Sequence, residues 1–225
     1  MTNEDYEKIF HEIKNNITFI NSSLQLVEKT HPEVSSFPFW EDSLLELSSL
    51  THMLTELSSA RLCNDLSAEK TSLTDFLPSL IDSFLPLFHA ADFRCELNLQ
   101  TPLPEIDLDH AKFKRALFNL IKNSYEAMNG TGIIRLTGRL SDSYILLELI
   151  DQGGGILPEY LPKLFSPFAT TKENGTGLGL MISKQIIEAH GGHLTVDSRP
   201  GDGCTFSIYL PCPKSSLYHS SPYQN

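Results

Sequence analysis

Two glycine clusters constrain this chain more than any other feature. They are Asp151-Gln152-Gly153-Gly154-Gly155-Ile156 and Gly175-Thr176-Gly177-Leu178-Gly179-Leu180, close together in its second half. Glycine admits positive φ and lets backbone N–H groups approach a bound group with no Cβ in the way. Clusters this close point to backbone pressed against a ligand. The second cluster runs straight into an apolar stretch with helical spacing, Leu178 to His190. That stretch would set a helix N-terminus beside the ligand, an arrangement suited to phosphate. Either cluster alone has other readings, because Gly-Thr-Gly-Leu-Gly also suits dinucleotide loops and Asp-x-Gly-x-Gly an ordinary turn.

A second signal lies upstream. The run Asp109 to Met128 is helix-patterned, Asp109 is a natural N-cap, and Asn119 and Asn123 stand one turn apart on one face. Amide oxygens on such a face suit a hard cation that keeps waters and phosphate oxygens, as magnesium does. Around this helix the pattern predicts a helix over 74–90 despite Pro78 and Pro86. It predicts strands at Phe93–Leu99, Ile106–Leu108, Ile133–Leu140, Tyr144–Ile150, His193–Ser198 and Cys204–Leu210. Ser141-Asp142-Ser143 joins two of them as a hairpin. Helices on one side of a mostly antiparallel sheet make a two-layer α/β sandwich.

The N-terminal part reads differently. From about Asn3 to Lys29, Phe10, Ile13, Ile17, Ile20, Leu24 and Val27 recur at steps of three and four, the seam of a helix in a bundle. Pro32 to Pro38 breaks that helix, and Trp40, Leu44, Leu47, Leu50, Leu54 and Leu57 form a second seam. Such a hairpin is too small to bury its own seam, so two copies making a four-helix bundle, a homodimer, is the natural inference. His11 and Asn15 lie together away from the seam with Glu12 on the flank. From the helix alone His11 reads as a solvated histidine, and His31 and His52 have structural or solvated roles. The domains expected are therefore 1–64 (helical hairpin), 65–70 (linker), 71–212 (α/β sandwich) and 213–225 (a polar, disordered tail).

The net charge of −11 argues against a nucleic-acid or anionic-membrane surface, which would demand clustered Lys and Arg. No apolar stretch is long enough to span a bilayer, and the acidic start is unlike a signal peptide. Cys63, Cys95, Cys204 and Cys212 have no metal spacing, as befits reduced thiols in a cytoplasmic protein.

Taken together, the motifs resemble bacterial sensor histidine kinases. Asn119-Leu120-Ile121-Lys122-Asn123 looks like their N box, Asp151-x-Gly-x-Gly like the G1 box, Phe165-x-x-Phe168 like the F box, Gly175-x-Gly-x-Gly like the G2 box, and His11-Glu12-Ile13-Lys14-Asn15 like the H box. The wider superfamily of this ATP fold, the GHKL ATPases, includes gyrase, a heat-shock chaperone and mismatch-repair enzymes. The resemblance implies autophosphorylation of His11 from ATP and passage of the phosphoryl group to an aspartate of a response regulator. Glu12 would act as base and Asn15 in phosphatase chemistry. An imidazole is nucleophilic when neutral, and a carboxylate can take its proton.

By the same resemblance Asp151 reads the adenine amine, Gly153 and Gly155 make room for the base, and Gly175, Thr176, Gly177, Leu178 and Gly179 meet the triphosphate. Asn119 and Asn123 hold magnesium, and Phe165 and Phe168 belong to a lid. Lys172 either neutralises phosphate charge or is solvated. His190 and His193 read as structural. Asn16 stands where many members have proline, and Ser124 where alanine is common. With about ten residues before the H box, the chain is expected to be a fragment or to sense through a separate protein. Two other functions fit the same residues: a relay phosphotransferase with a decayed ATPase-like domain, or an ATP-gated conformational protein or serine kinase whose hairpin only dimerises.

Overall fold

The computed structural model describes residues 3–61, 65–88, 92–100, 102–172 and 175–212; in the first two helices side chains are described over 12–51 and 53–55. The side chain of His11, that of His52 and the expected tail at 213–225 lie outside the described residues. Two compact units result, Met1–Leu62 with Phe168–Leu178, and Cys63–Pro167 with Gly179–Asn225.

In the first unit α1 (Asn3–Thr30) and α2 (Trp40–Arg61) pack on each other, joined by a 3-10 turn at Pro32–Ser36. Proline at the start of that turn lacks the N–H that would continue α1, and buried Val34 anchors it. Ile17, Leu24, Leu44, Leu47 and Leu54 are half-buried. Ile13, Ile20 and Val27 of the same seam remain 41%, 45% and 37% exposed, so one chain covers its seam only in part.

The second unit contains a five-stranded sheet in the order β2-β4-β5-β7-β6. Its strands are β2 (Phe93–Leu99), β4 (Gly132–Ser141), β5 (Tyr144–Asp151), β6 (His193–Ser198) and β7 (Cys204–Pro211). Only the β2–β4 pair of this sheet is parallel. Ile134 and Leu136 on β4, Ile145, Leu147 and Leu149 on β5, and Phe206 and Ile208 on β7 point to one buried face. On the other face charges pair, Arg135 with Glu96 at 3.2 Å and Arg139 with Glu148 at 3.9 Å. Alternation therefore decides which face is covered.

Helices α3 (Leu73–Phe84), α4 (His110–Ala127) and α5 (Gly179–Ala189) contact this sheet, giving the two layers expected. α3 stops earlier than its pattern, because Pro86 has no N–H to bond and the chain tightens into a 3-10 turn at Leu85–Leu87. A second small sheet pairs β1 (Glu69–Thr71) with β3 (Ile106–Leu108), so Glu69 and Lys70, expected in the linker, lie in a strand of this unit. Burial and the neighbouring Glu96 push the Cys95 thiol up to about 11.

Asp109 ties these parts together. One carboxylate oxygen accepts from Lys112 N–H at 3.0 Å and caps α4; the other accepts from Ser67 N–H at 2.9 Å and holds the entering chain. Its own N–H donates to His190 Nε2 at 2.9 Å, so His190 carries its hydrogen on Nδ1, which bonds the Ile186 carbonyl at 2.7 Å. His190 is thus a structural link between the ends of α4 and α5. Burial alone would raise the Asp109 pKa; the Lys112 and Ser67 N–H groups and the Lys112 ammonium outweigh it and hold the carboxyl below its usual value.

A depressed folded pKa stabilises fully above the unfolded value of about 3.9, and the contribution is lost as pH falls through the lower folded value. Asp109→Ala is expected to lower stability by about 2 kcal/mol at neutral pH. In denaturant unfolding the gap between wild type and variant should narrow below about pH 4.

Candidate functional site

The site is built at the end of β5, where the strand delivers Asp151 into the interior with 2% exposure. Three donors converge on its carboxylate. Ser124 Oγ, on α4, donates to Oδ2 at 2.8 Å; Gly153 N–H and Cys204 N–H donate to Oδ1 at 2.9 and 3.2 Å. A buried carboxylate needs such donors, because leaving its charge unpaired is costly. Burial, the main cause, and the Asp151 charge hold the Cys204 thiol above its ordinary pKa although the Ser198 hydroxyl opposes them.

The first glycine cluster is knitted to the β6–β7 turn. Gly201 N–H bonds the Gly154 carbonyl at 2.8 Å, and Ile156 N–H bonds Ser198 Oγ at 2.9 Å, whose hydroxyl donates to Gly203 O at 2.8 Å. A side chain on Gly155, at φ +70°, would fall on the Arg199 carbonyl, and one on Gly153 would meet Ala127. On the side where a Cβ would stand, each of these glycines is met by the protein's own chain. Both are places where neighbouring chain comes close to the glycine backbone.

Asn119 and Asn123 are half-buried on one face of α4. Asn119 Nδ2 donates to Gly179 O at 3.2 Å, at the start of α5, which turns its amide oxygen the other way. Ser183 Oγ bonds the same carbonyl at 2.9 Å and lies 3.2 Å from Ala116 O, locking α5 against α4. Phe165 is half-buried with Lys184 Nζ 5.3 Å from its ring centre.

Within Phe168–Leu178, Phe168 is 56% exposed and has φ 62°. Gly177, at φ +65°, has no room for a side chain beside the Phe168 backbone. Lys172 N–H bonds Thr170 Oγ1 at 3.1 Å and Gly175 N–H bonds Lys172 O at 3.2 Å; Leu178 N–H lies 3.4 Å from Thr176 Oγ1. Glu12 and Asn15 are exposed on α1, on which the backbone of His11 also lies. The sequence missed Ser124: its hydroxyl, one residue beyond Asn123, was the available signal. Among the described residues no helix is long and apolar enough to cross a membrane.

Residues 108–214 match the family of histidine kinase-, DNA gyrase B-, and HSP90-like ATPases. Sporulation kinase E of Bacillus subtilis is 32% identical over 204 residues, which cover 90% of this chain and 28% of that protein. The signal transduction histidine-protein kinase AtoS of Escherichia coli is 31% identical over 208 residues, 90% of this chain and 34% of that one. The crystal structure of full-length ShkA in complex with AMPPNP shares the fold with a TM-score of 0.76 at 21% identity, over 94% of this chain and 46% of that one.

The match and the fold define an ATPase domain of the GHKL type over residues 108–214. Over nine tenths of its length the chain is similar to these bacterial histidine kinases. It spans about a third of the length of those two curated relatives.

The two glycines beside Asp151 can be separated experimentally. Gly155→Ala should destabilise by at least about 2 kcal/mol through strain and collision. A side chain on Gly154 would meet nothing within 4 Å, so Gly154→Ala should stay within about 0.5 kcal/mol in thermal unfolding.

Proposed function

We propose that the chain is the catalytic part of an ATP-dependent protein histidine kinase. The observation that carries this reading is the buried Asp151 carboxylate with its three donors. A fixed acceptor of this kind favours adenine, whose exocyclic amine donates, over guanine, whose carbonyl cannot. A decayed domain would have no reason to keep it, which weighs against the relay phosphotransferase.

In the proposed reaction an imidazole nitrogen of His11 attacks the γ-phosphorus of ATP. A nitrogen–phosphorus bond forms, the bond to the β–γ bridging oxygen breaks, ADP leaves and Glu12 accepts the imidazole proton. Gly175, Thr176, Gly177, Leu178 and Gly179 would cradle the triphosphate, with Lys172 near its charge and Phe165 and Phe168 in a lid. The outward amide oxygen of Asn119 and that of Asn123 form a donor set that fits magnesium; the bound ion would neutralise phosphate charge.

An aspartate of a response regulator receiver domain then takes the phosphoryl group. Asn15, one turn along α1 from His11, would position a water for attack on the regulator's acyl phosphate, the phosphatase reaction. The partly covered seam of α1 supports a homodimer through the hairpin, and a separate sensory protein or further domains would supply the signal.

Incorporation of γ-labelled phosphate from ATP and magnesium tests this. Acid-labile, base-stable label is expected in the wild type and is lost in His11→Gln and in Asn123→Asp. Acid-stable label retained by His11→Gln would point instead to a serine kinase, and absence of ATP binding to the relay phosphotransferase.

A further inference from the structure

Ser124 belongs to the Asp151 cluster yet has no role in any of the motifs above. Its side chain is 1% exposed, so it meets Asp151 and not solvent. An ionised carboxylate offers about four lone-pair positions. Gly153 N–H and Cys204 N–H occupy Oδ1, and the Ser124 hydroxyl takes one position on Oδ2, at 2.8 Å. Among the described residues no second donor meets Oδ2, so its other position can take a donor arriving from a ligand.

The two N–H groups both act on Oδ1, so they do not by themselves set where Oδ2 points. Ser124 does, and it does so from α4, the helix whose preceding residue is Asn123. Its side chain is fixed by a regular backbone that packs on β5. Alanine at this position would leave Oδ2 without a protein donor among the described residues, and charge-assisted bonds of this kind are the stronger ones.

We infer that Ser124 is a positioning residue that aims Asp151 Oδ2 at the exocyclic amine of an adenine nucleotide, and so sets the preference for 6-aminopurines over purines lacking that amine. This rests on Asp151 reading the base, as proposed above. Ser124 acts through Asp151 and makes no contact with the nucleotide.

A cycle of variant against ligand separates positioning from packing. Affinities of ATP and of purine riboside triphosphate, which lacks the amine, are measured by calorimetry for wild type, Ser124→Ala and Ser124→Cys. Ser124→Ala should weaken ATP by about five- to tenfold and leave the amine-free analogue within about twofold. Ser124→Cys, of similar volume with a weaker donor, should fall between, and it carries the test if the alanine variant does not fold. In steady-state assays the loss should fall on KM for ATP and leave kcat unchanged. Equal weakening of both nucleotides, or of neither, would overturn the role of Ser124. Equal affinity of the wild type for the two nucleotides would overturn base reading by Asp151, and the inference with it.

Discussion

A carboxylate taken out of water must find donors, and at Asp151 one comes from the next turn of chain and two from distant elements. Ser124 lies on α4, Gly153 in the loop after β5, and Cys204 at the start of β7. For all three to converge, β7 must lie beside β5, α4 must pack over that strand, and the loop must turn at once. The register that pairs Asp151 with Cys204 meets the first requirement. Removing one partner from a buried charge costs several kcal/mol, so the site and this part of the fold are mutually dependent.

The same device recurs at the other end of α4. Asp109 caps the helix, holds the chain entering from Ser67 and, through its own N–H, meets His190. α4 is thereby fixed near both ends, with Asn119 and Asn123 between them. A rigid helix is a suitable mount for amide oxygens that, in the proposed reaction, would hold a cation to within fractions of an ångström. In the helical unit the opposite holds: its apolar seam is only partly covered, and a second copy would complete it.

Much of this was legible from local rules. Asp109 followed by an amphipathic run gives α4 and its cap, and alternation gives β2, β5, β6 and β7 to within a residue or so. His190 beside Gly191-Gly192 reads as structural, and its bonds to Asp109 and Ile186 agree. What was not legible depends on distant partners. β1 has three residues, too few for alternation to register, and exists because β3 pairs with it. The close approach of Ala127 to Gly153 and of Arg199 to Gly155 likewise depends on distant partners. Ser124 read as a small departure from alanine because its partner lies 27 residues further along the chain.

The central claim is that the Asp151 carboxylate binds the adenine nucleotide, and calorimetric titration of ATP with magnesium into wild type and Asp151→Asn tests it most directly. The titration belongs at a temperature where unfolding curves show both proteins folded. The amide is similar in size but carries no charge, so a loss of affinity of about a hundredfold is expected. Unchanged affinity in the folded variant would contradict the claim.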